Sequence, residues 1–525
     1  MSDNGTGKSN VPKDRKGSAM SRVQSAVKNI AFGQIGNLIT QILNFVLRTV
    51  FIDHLGDTLN GVNALYTGIL SVLSMAELGI GTALNYSLYK PAADKDYEKI
   101  KSYMQFYKKA YWIIGFVIAG IGLLISPFLP QMVKQPEGIA LRDLTLYYYI
   151  FLFNTASSYF VAYKYSLVNA EQKNYIQTNI LTVTKMITVC IQIAVVLVTG
   201  NFYIYLLTAT GVELIQKIFV TVYFNRKYPY LKDKNIIKLT KEETGEIASK
   251  TKALVFHKVG DVARLQTDSM IISAFINVTV TGFVDNYNWV LNSIANVVNI
   301  FFNSVISGFG NLIATESKER QYQMFRVYRF AACWIYGFTA IGFSMLLTPF
   351  IILWKGETRA LAYSVVICIL VDFYFKGERI VLSNFKTAAG VFEQDKYLAL
   401  IQGVVNLIIS IVLVRSIGLV GVYIGTIVSG LIANITKPVI IYKVILDKPV
   451  KGYFIDFVKY LAVIAAVFAL LTGIKNIVMP MITIFGFVKM FVIICVVFNA
   501  VFLLLFGRTD EFGYLWGIVK AKMKK

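Results

Sequence analysis

WIIGFVIAGIGLLISPF, residues Trp112 to Phe128, returns 222 residues later as WIYGFTAIGFSMLLTPF, residues Trp334 to Phe350, with eight of the seventeen positions identical. The same offset carries Lys164 onto Lys386, Glu171 onto Glu393, Gln172 onto Gln394 and Tyr175 onto Tyr397 without a gap. Chance matching of apolar helices does not hold register across a loop and a further segment, so the chain is an internal duplication. Duplicated polytopic chains are typical of transporters, whose substrate site lies where two related bundles meet.

Of 525 residues, 56% are hydrophobic, the mean hydropathy is +0.59, and the apolar runs reach the roughly 20 residues that a bilayer-crossing helix needs. The expectation is an all-α, polytopic membrane protein of about fourteen transmembrane helices. The spans read as 29–52, 60–87, 110–132, 144–169, 176–199, 202–225, 252–276, 280–312, 328–354, 361–386, 395–415, 419–443, 454–475 and 482–507. Spans 1 to 6 pair with 7 to 12, and an even number per copy makes the two repeats parallel. The expected organisation is therefore a basic tail (1–28), an N-terminal six-helix bundle (29–227), a connector (228–251), a C-terminal six-helix bundle (252–445), two additional helices (446–508) and an amphipathic tail (509–525).

With span ends counted, thirty-five Lys and Arg fall on one set of alternating segments and six on the other. Basic residues are retained in the cytoplasm, so both termini and the connector are expected there. Much of the net charge of +22 is then a topology signal and does not point to nucleic acid. Residues 1–28 lack the apolar core of a signal peptide. Cys190, Cys333, Cys368 and Cys495 have no metal or redox spacing, and with only His54 and His257 no metal site or cofactor is expected. Gly7, Lys8 and Ser9 imitate the end of a phosphate loop, but Ser2 stands where its first glycine belongs. No loop is long enough for a soluble catalytic domain, which argues against an enzyme. In the connector, Thr240 and Glu243 have capping-box spacing, and EFGYLWGIVKAKMKK at the C-terminus reads as an interfacial helix.

The start of each repeat points to a polar cavity. Gly33, Gln34, Asn37, Leu38, Thr40 and Gln41 match Gly260, Asp261, Arg264, Leu265, Thr267 and Asp268 at an offset of 227, and a length change then brings Gly61 and Tyr66 onto Gly282 and Tyr287. Gln34, Asn37, Gln41, Asn44 and Arg48 step by three and four residues, which is one face of a helix. Asp261, Arg264 and Asp268 do the same in span 7. Polar groups facing hydrocarbon are costly, so such stripes face protein or water. Interhelical hydrogen bonding accounts for any single one of them; a paired stripe favours a wet cavity between the halves.

Ten basic side chains fall inside the spans (Arg48, Lys164, Lys185, Lys217, Lys258, Arg264, Lys376, Arg379, Lys386 and Lys437), against the acids Glu77, Glu213, Asp261, Asp268, Asp372 and Glu378. Glu213 with Lys217 and Asp372 with Lys376 have i,i+4 spacing for local pairing, and Arg264 stands between two aspartates. Lys164, Lys386 and Lys437 sit near span ends, where a long stem can snorkel to the interface. Lys185 and Arg379 have no local partner in the sequence, and an unpaired cation at that depth suggests a visiting anion.

The segment YTGILSVLSMAELGIGTALNYSLYKP (Tyr66 to Pro91), the basic run to Lys109 and the Trp112 to Phe128 span resemble the N-terminal signature of Wzx-type polysaccharide flippases of the MATE-like superfamily. The resemblance implies a MATE-like fold and flipping of undecaprenyl-pyrophosphate-linked oligosaccharide from the inner to the outer leaflet of a bacterial plasma membrane. It further implies a V-shaped cationic cavity lined by spans 1, 2, 7 and 8. The two additional helices resemble those of fourteen-span lipid II flippases, where they help form a groove for the lipid tail. On this reading Gln34, Asn37, Gln41, Asn44, Arg48, Lys164, Lys185, Arg264, Lys376, Arg379 and Lys386 are the candidate substrate-cavity residues, and Asp261, Asp268 and Asp372 the candidate ion-coupling residues. The lipid-linked oligosaccharide and the bilayer are the expected partners, with glycosyltransferases and a glycan polymerase as protein partners. A cation-coupled multidrug exporter of the same superfamily is the alternative, although the first stripe carries no carboxylate. A membrane glycosyltransferase or polymerase would need more outer carboxylates than Asp53 and Asp57.

Overall fold

The computed structural model describes residues 13–523 except 75–79, 135–137, 172, 234–235, 246, 249–266, 392 and 396, with the side chains at 13–35, 37–38, 80–86, 307 and 522 also outside the description. The described residues are helical, and they fall into two compact units. The first takes the chain up to Gly56 with 81–117 and 153–247, and the second takes 57–80, 118–152 and 248–525.

The first repeat supplies α1 (Lys13–Leu73), α2 (Ile80–Asp94), α3 (Tyr97–Ile125), the short α4 (Leu129–Met132), α5 (Leu141–Ala170), α6 (Tyr175–Thr199) and α7 (Phe202–Lys227). Gly56 interrupts α1 with φ 83° and ψ 171°. Positive φ is a region that a Cβ disfavours, so the chain passes from one unit to the other at the residue able to bend there. At the α6–α7 turn, Gly200 takes φ 56° and the Asn201 side chain accepts hydrogen bonds from the amides of Tyr203 and Ile204, an N-cap that satisfies two orphan donors.

Within the first unit the connector is pinned to the polar start of α3. Lys101 Nζ lies 2.9 Å from Asp233, and Ser102 Oγ donates to the Ile237 carbonyl at 2.5 Å. The capping box is formed: Glu243 accepts from the Thr240 amide at 2.9 Å and the Glu243 amide donates to Thr240 Oγ1 at 3.2 Å. Lys99 pairs with Glu243 and holds its carboxyl below the usual carboxylate range.

The second unit contains α8 (Val278–Asn303), α9 (Ile306–Thr315), α10 (Lys318–Lys355), α11 (Tyr363–Ala388), α12 (Leu398–Ile417), α13 (Leu419–Ile440), α14 (Lys451–Val478), α15 (Ile484–Phe506) and α16 (Asp510–Met523). The hairpin between α12 and α13 turns at Gly418, φ 60°, and Gly421 packs directly on Leu413, where a Cβ would lie 2.4 Å from a backbone carbon. The additional helices α14 and α15 bind to α10 through aromatic rings: Phe330 packs against Phe502, Phe506 and Tyr460, and Trp334 stacks on Phe502 and donates its indole N–H to Asn499 at 3.0 Å. The repeat-matched Trp112 is 40% exposed. One duplicated sequence therefore serves two environments.

Nine described helices are long and apolar enough to cross a membrane. They cover nine of the fourteen expected spans. The expected spans at 144–169 and 361–386 correspond to α5 and α11, which are too polar to stand out: α11 holds Asp372, Lys376, Glu378, Arg379 and Lys386. Spans 29–52 and 60–87 lie on α1 and α2, and most of 252–276 lies outside the described residues.

Candidate functional site

A cavity of about 1080 Å³ lies within the second unit. One end of it is closed by residues that the duplication makes equivalent. Thr58 and Thr279, both at the repeat offset of 221, share a hydroxyl–hydroxyl hydrogen bond of 2.9 Å. Gly61 and Gly282, at the same offset, press together so closely that a Cβ on Gly61 would lie 1.8 Å from the Val278 carbonyl oxygen and one on Gly282 2.4 Å from that of Asp57. Equivalent residues that touch each other mark an axis relating the two copies. Asn60 donates to the Gly282 carbonyl at 3.0 Å, and the Asp57 carboxylate meets Arg359 at 2.6 Å. Both Asp57 and Arg359 are thereby committed to this closure.

Beyond the closure the walls are polar, with 22 of the 33 described lining residues carrying a side-chain hydroxyl, amide or charge. Helix α8 presents Asp285, Asn288, Asn292, Asn296 and Asn299 at three- and four-residue steps, hence on one face. Asn63 and Thr67 of α1 line the same space. Helix α11 presents a charged stripe, Asp372, Lys376, Arg379, Ser383 and Lys386, and α13 adds Tyr423, Thr426 and Lys437. The cations are anchored. Lys376 lies 2.6 Å and Arg379 3.4 Å from Asp372, Arg379 also donates to Asn434 at 3.0 Å, Lys386 pairs closely with Asp395, and Lys437 donates to Ser383 at 2.7 Å. Lys376 keeps 43% of its side chain exposed. Thr426 donates to Asp268 at 3.0 Å.

Of the residues expected from sequence, Asp268, Asp372, Lys376, Arg379 and Lys386 come together in this cavity. Asp261 and Arg264 lie outside the described residues, as do the side chains of Gln34 and Asn37. Gln41, Asn44, Arg48, Lys164 and Lys185 belong to the first unit. Lys164 is buried there and donates to Asn225 at 3.3 Å. Glu213 of α7 lies 3.5 Å from Lys217, the i,i+4 pair expected from the sequence. Two expectations are corrected. Arg379 is not partnerless: it reaches Asp372, two turns back on its own helix, at 3.4 Å, and Asn434 of α13 at 3.0 Å. Among the described residues, the cation excess of the spans does not carry into the cavity either: four basic side chains (Lys376, Arg379, Lys386, Lys437) meet four acids (Asp268, Asp285, Asp372, Asp395). The asparagine stripe of α8 went unnoticed in the sequence, although its four- and three-residue steps are written there.

No protein-family model matches the sequence, and no curated protein sequence does. Solved structures do. The lipid II flippase MurJ in an inward closed conformation superposes with TM-score 0.64 at 13% identity, over 91% of this chain and 99% of that one. An inward-facing multidrug resistance MATE family transporter of the MOP superfamily gives 0.59 at 13% identity, over 76% and 92%. A MOP superfamily transporter from Pyrococcus furiosus gives 0.52 at 14%, over 78% and 93%. The chain thus has the MATE-like fold, and with its run of apolar helices it is a multi-pass membrane protein.

Proposed function

We propose that this chain is a flippase that moves an undecaprenyl-pyrophosphate-linked oligosaccharide, a surface-polysaccharide repeat unit, from the inner to the outer leaflet of a bacterial plasma membrane by alternating access. The observation that carries the reading is the polar lining of the cavity, 22 of the 33 described residues. Pockets for drug-like molecules are lined mostly by apolar and aromatic groups with a few polar ones; a saccharide needs the reverse. Lys376, Arg379, Lys386 and Lys437 offer a pyrophosphate charge-assisted hydrogen bonds once their present partners yield. The match to a lipid II flippase covers more of this chain, 91%, than the 76% matched by the MATE transporter, which fits a substrate on a lipid.

The reaction class needs no covalent step. With both termini inside, the closure at Thr58–Thr279 and Gly61–Gly282 faces outward and separates the cavity from the outer leaflet, so release requires this crossing to part. An inside-negative potential assists outward movement of negative charge, by about 2.3 kcal/mol per charge per 100 mV for the whole field. The cation-coupled drug exporter has one observation in its favour, the four carboxylates in the cavity, of which Asp268 and Asp372 are the candidate proton or sodium sites. Depletion of the protein in its host separates the readings. Lipid-linked oligosaccharide accumulates in the cytoplasmic leaflet on the first, whereas unchanged surface glycan with lost resistance to cationic dyes establishes the second.

A further inference from the structure

The asparagines of the second unit divide into two kinds. Asn60, Asn286, Asn384, Asn406 and Asn434 are buried and bonded to neighbouring helices: Asn60 to Asn286, Asn384 to Tyr328, Asn406 to Thr426 and Asn434 to the Phe375 carbonyl. These hold the bundle together. Asn292 and Asn296 are exposed toward the cavity and Asn63 is half-buried on it, and no hydrogen bond engages these three amides among the described residues. On either side of Asn292 and Asn296 along α8, Asn299 accepts from the Tyr336 hydroxyl and Asn286 accepts from the Asn60 amide, so the free amides sit on a helix fixed above and below. Unsatisfied carboxamides on a membrane helix are retained where water or a ligand completes them.

Resting on the flippase reading, we infer that the α8 wall is the sugar-selecting surface, with Asn292, Asn296 and Asn63 recognising the hydroxyl and acetamido groups of an uncharged saccharide. A carboxamide offers two donors and an acceptor with two lone pairs, which matches sugar groups that both donate and accept. The wall carries no cation, and its one charged residue, Asp285, repels acidic sugars. The cations of α11 and α13 serve the anionic linkage. One cavity thereby reads two parts of one substrate with two helix faces.

The test uses the full-length protein in nanodiscs with three synthetic probes on the same short polyprenyl pyrophosphate: no sugar, a neutral N-acetylglucosamine disaccharide, and a disaccharide ending in glucuronic acid. Wild type is expected to bind the neutral disaccharide probe about tenfold more tightly than the bare lipid, and the glucuronyl probe less tightly than the neutral one. N292L/N296L should erase the tenfold increment and leave bare-lipid affinity unchanged, while N292Q, which keeps the chemistry, retains part of it and guards against misfolding as the explanation. Lys376→Met should weaken all three probes equally. An increment that survives in N292L/N296L, or a glucuronyl probe bound best, overturns the sugar wall while the flippase reading stands. No binding of any pyrophosphate lipid by wild type overturns both.

Discussion

On one face of α11, Asp372, Lys376, Arg379, Ser383 and Lys386 step by four, three, four and three residues and line the cavity. On the other, Glu378 is 2% exposed and meets Arg329 of α10 at 3.5 Å and the Tyr374 hydroxyl at 3.5 Å, with the Arg329 guanidinium 3.6 Å over the ring of Tyr453 from α14. Both faces put charge inside a membrane helix. The cavity face lets its charges exchange partners, since Asp372 already serves two cations. The dry face spends its pair on joining the additional helices to the repeat. A charge within a span is thus evidence for a substrate only after its surroundings are known.

The comparison breaks most visibly at Arg329. Arg329→Met leaves Glu378 buried without its cation, a change worth about 3–5 kcal/mol, and the melting temperature in detergent should fall sharply. Adding Glu378→Leu should recover most of it, because a dry pair can be replaced by apolar packing. If the double variant melts as low as the single one, the loss came from the ring contacts of Arg329 and not from the stranded carboxylate.

Lys376→Met tests the wet face of the same helix. Its pair is partly solvated, so stability should change by less than about 1 kcal/mol, while export of the lipid-linked glycan drops. A destabilisation comparable to that of Arg329→Met would erase the distinction between the faces.

The smallest effect belongs to the exposed pair of the connector. The Glu243 carboxyl is depressed by Lys99 in the folded chain, so its stabilisation is present at neutral pH, above the ordinary carboxylate value of about 4.3, and is lost as pH falls through the lower folded value. Thermal midpoints of wild type and Glu243→Gln should differ slightly at pH 7 and converge in acid. A gap that widens in acid would reverse the assigned sign.

Membership of a helical, membrane-spanning, duplicated fold was legible in the sequence because burial in lipid imposes long apolar runs and because duplication preserves register, both properties read along the chain. The polar stripes were legible too, since helical periodicity is local. Gly61 and Gly282 were visible as repeat mates, but their mutual contact was not, because it depends on two helices crossing at an axis. Arg379 looked unpaired because Asn434 stands 55 residues away, and the partners of Arg329, Glu378 and Tyr453, reach it from other helices. What the sequence by itself determined was which residues share a face. Which face meets a partner, a cavity or lipid was decided by the tertiary structure alone, because the energy of a charge or an amide in a membrane protein is set by the groups that pack against it from elsewhere in the chain.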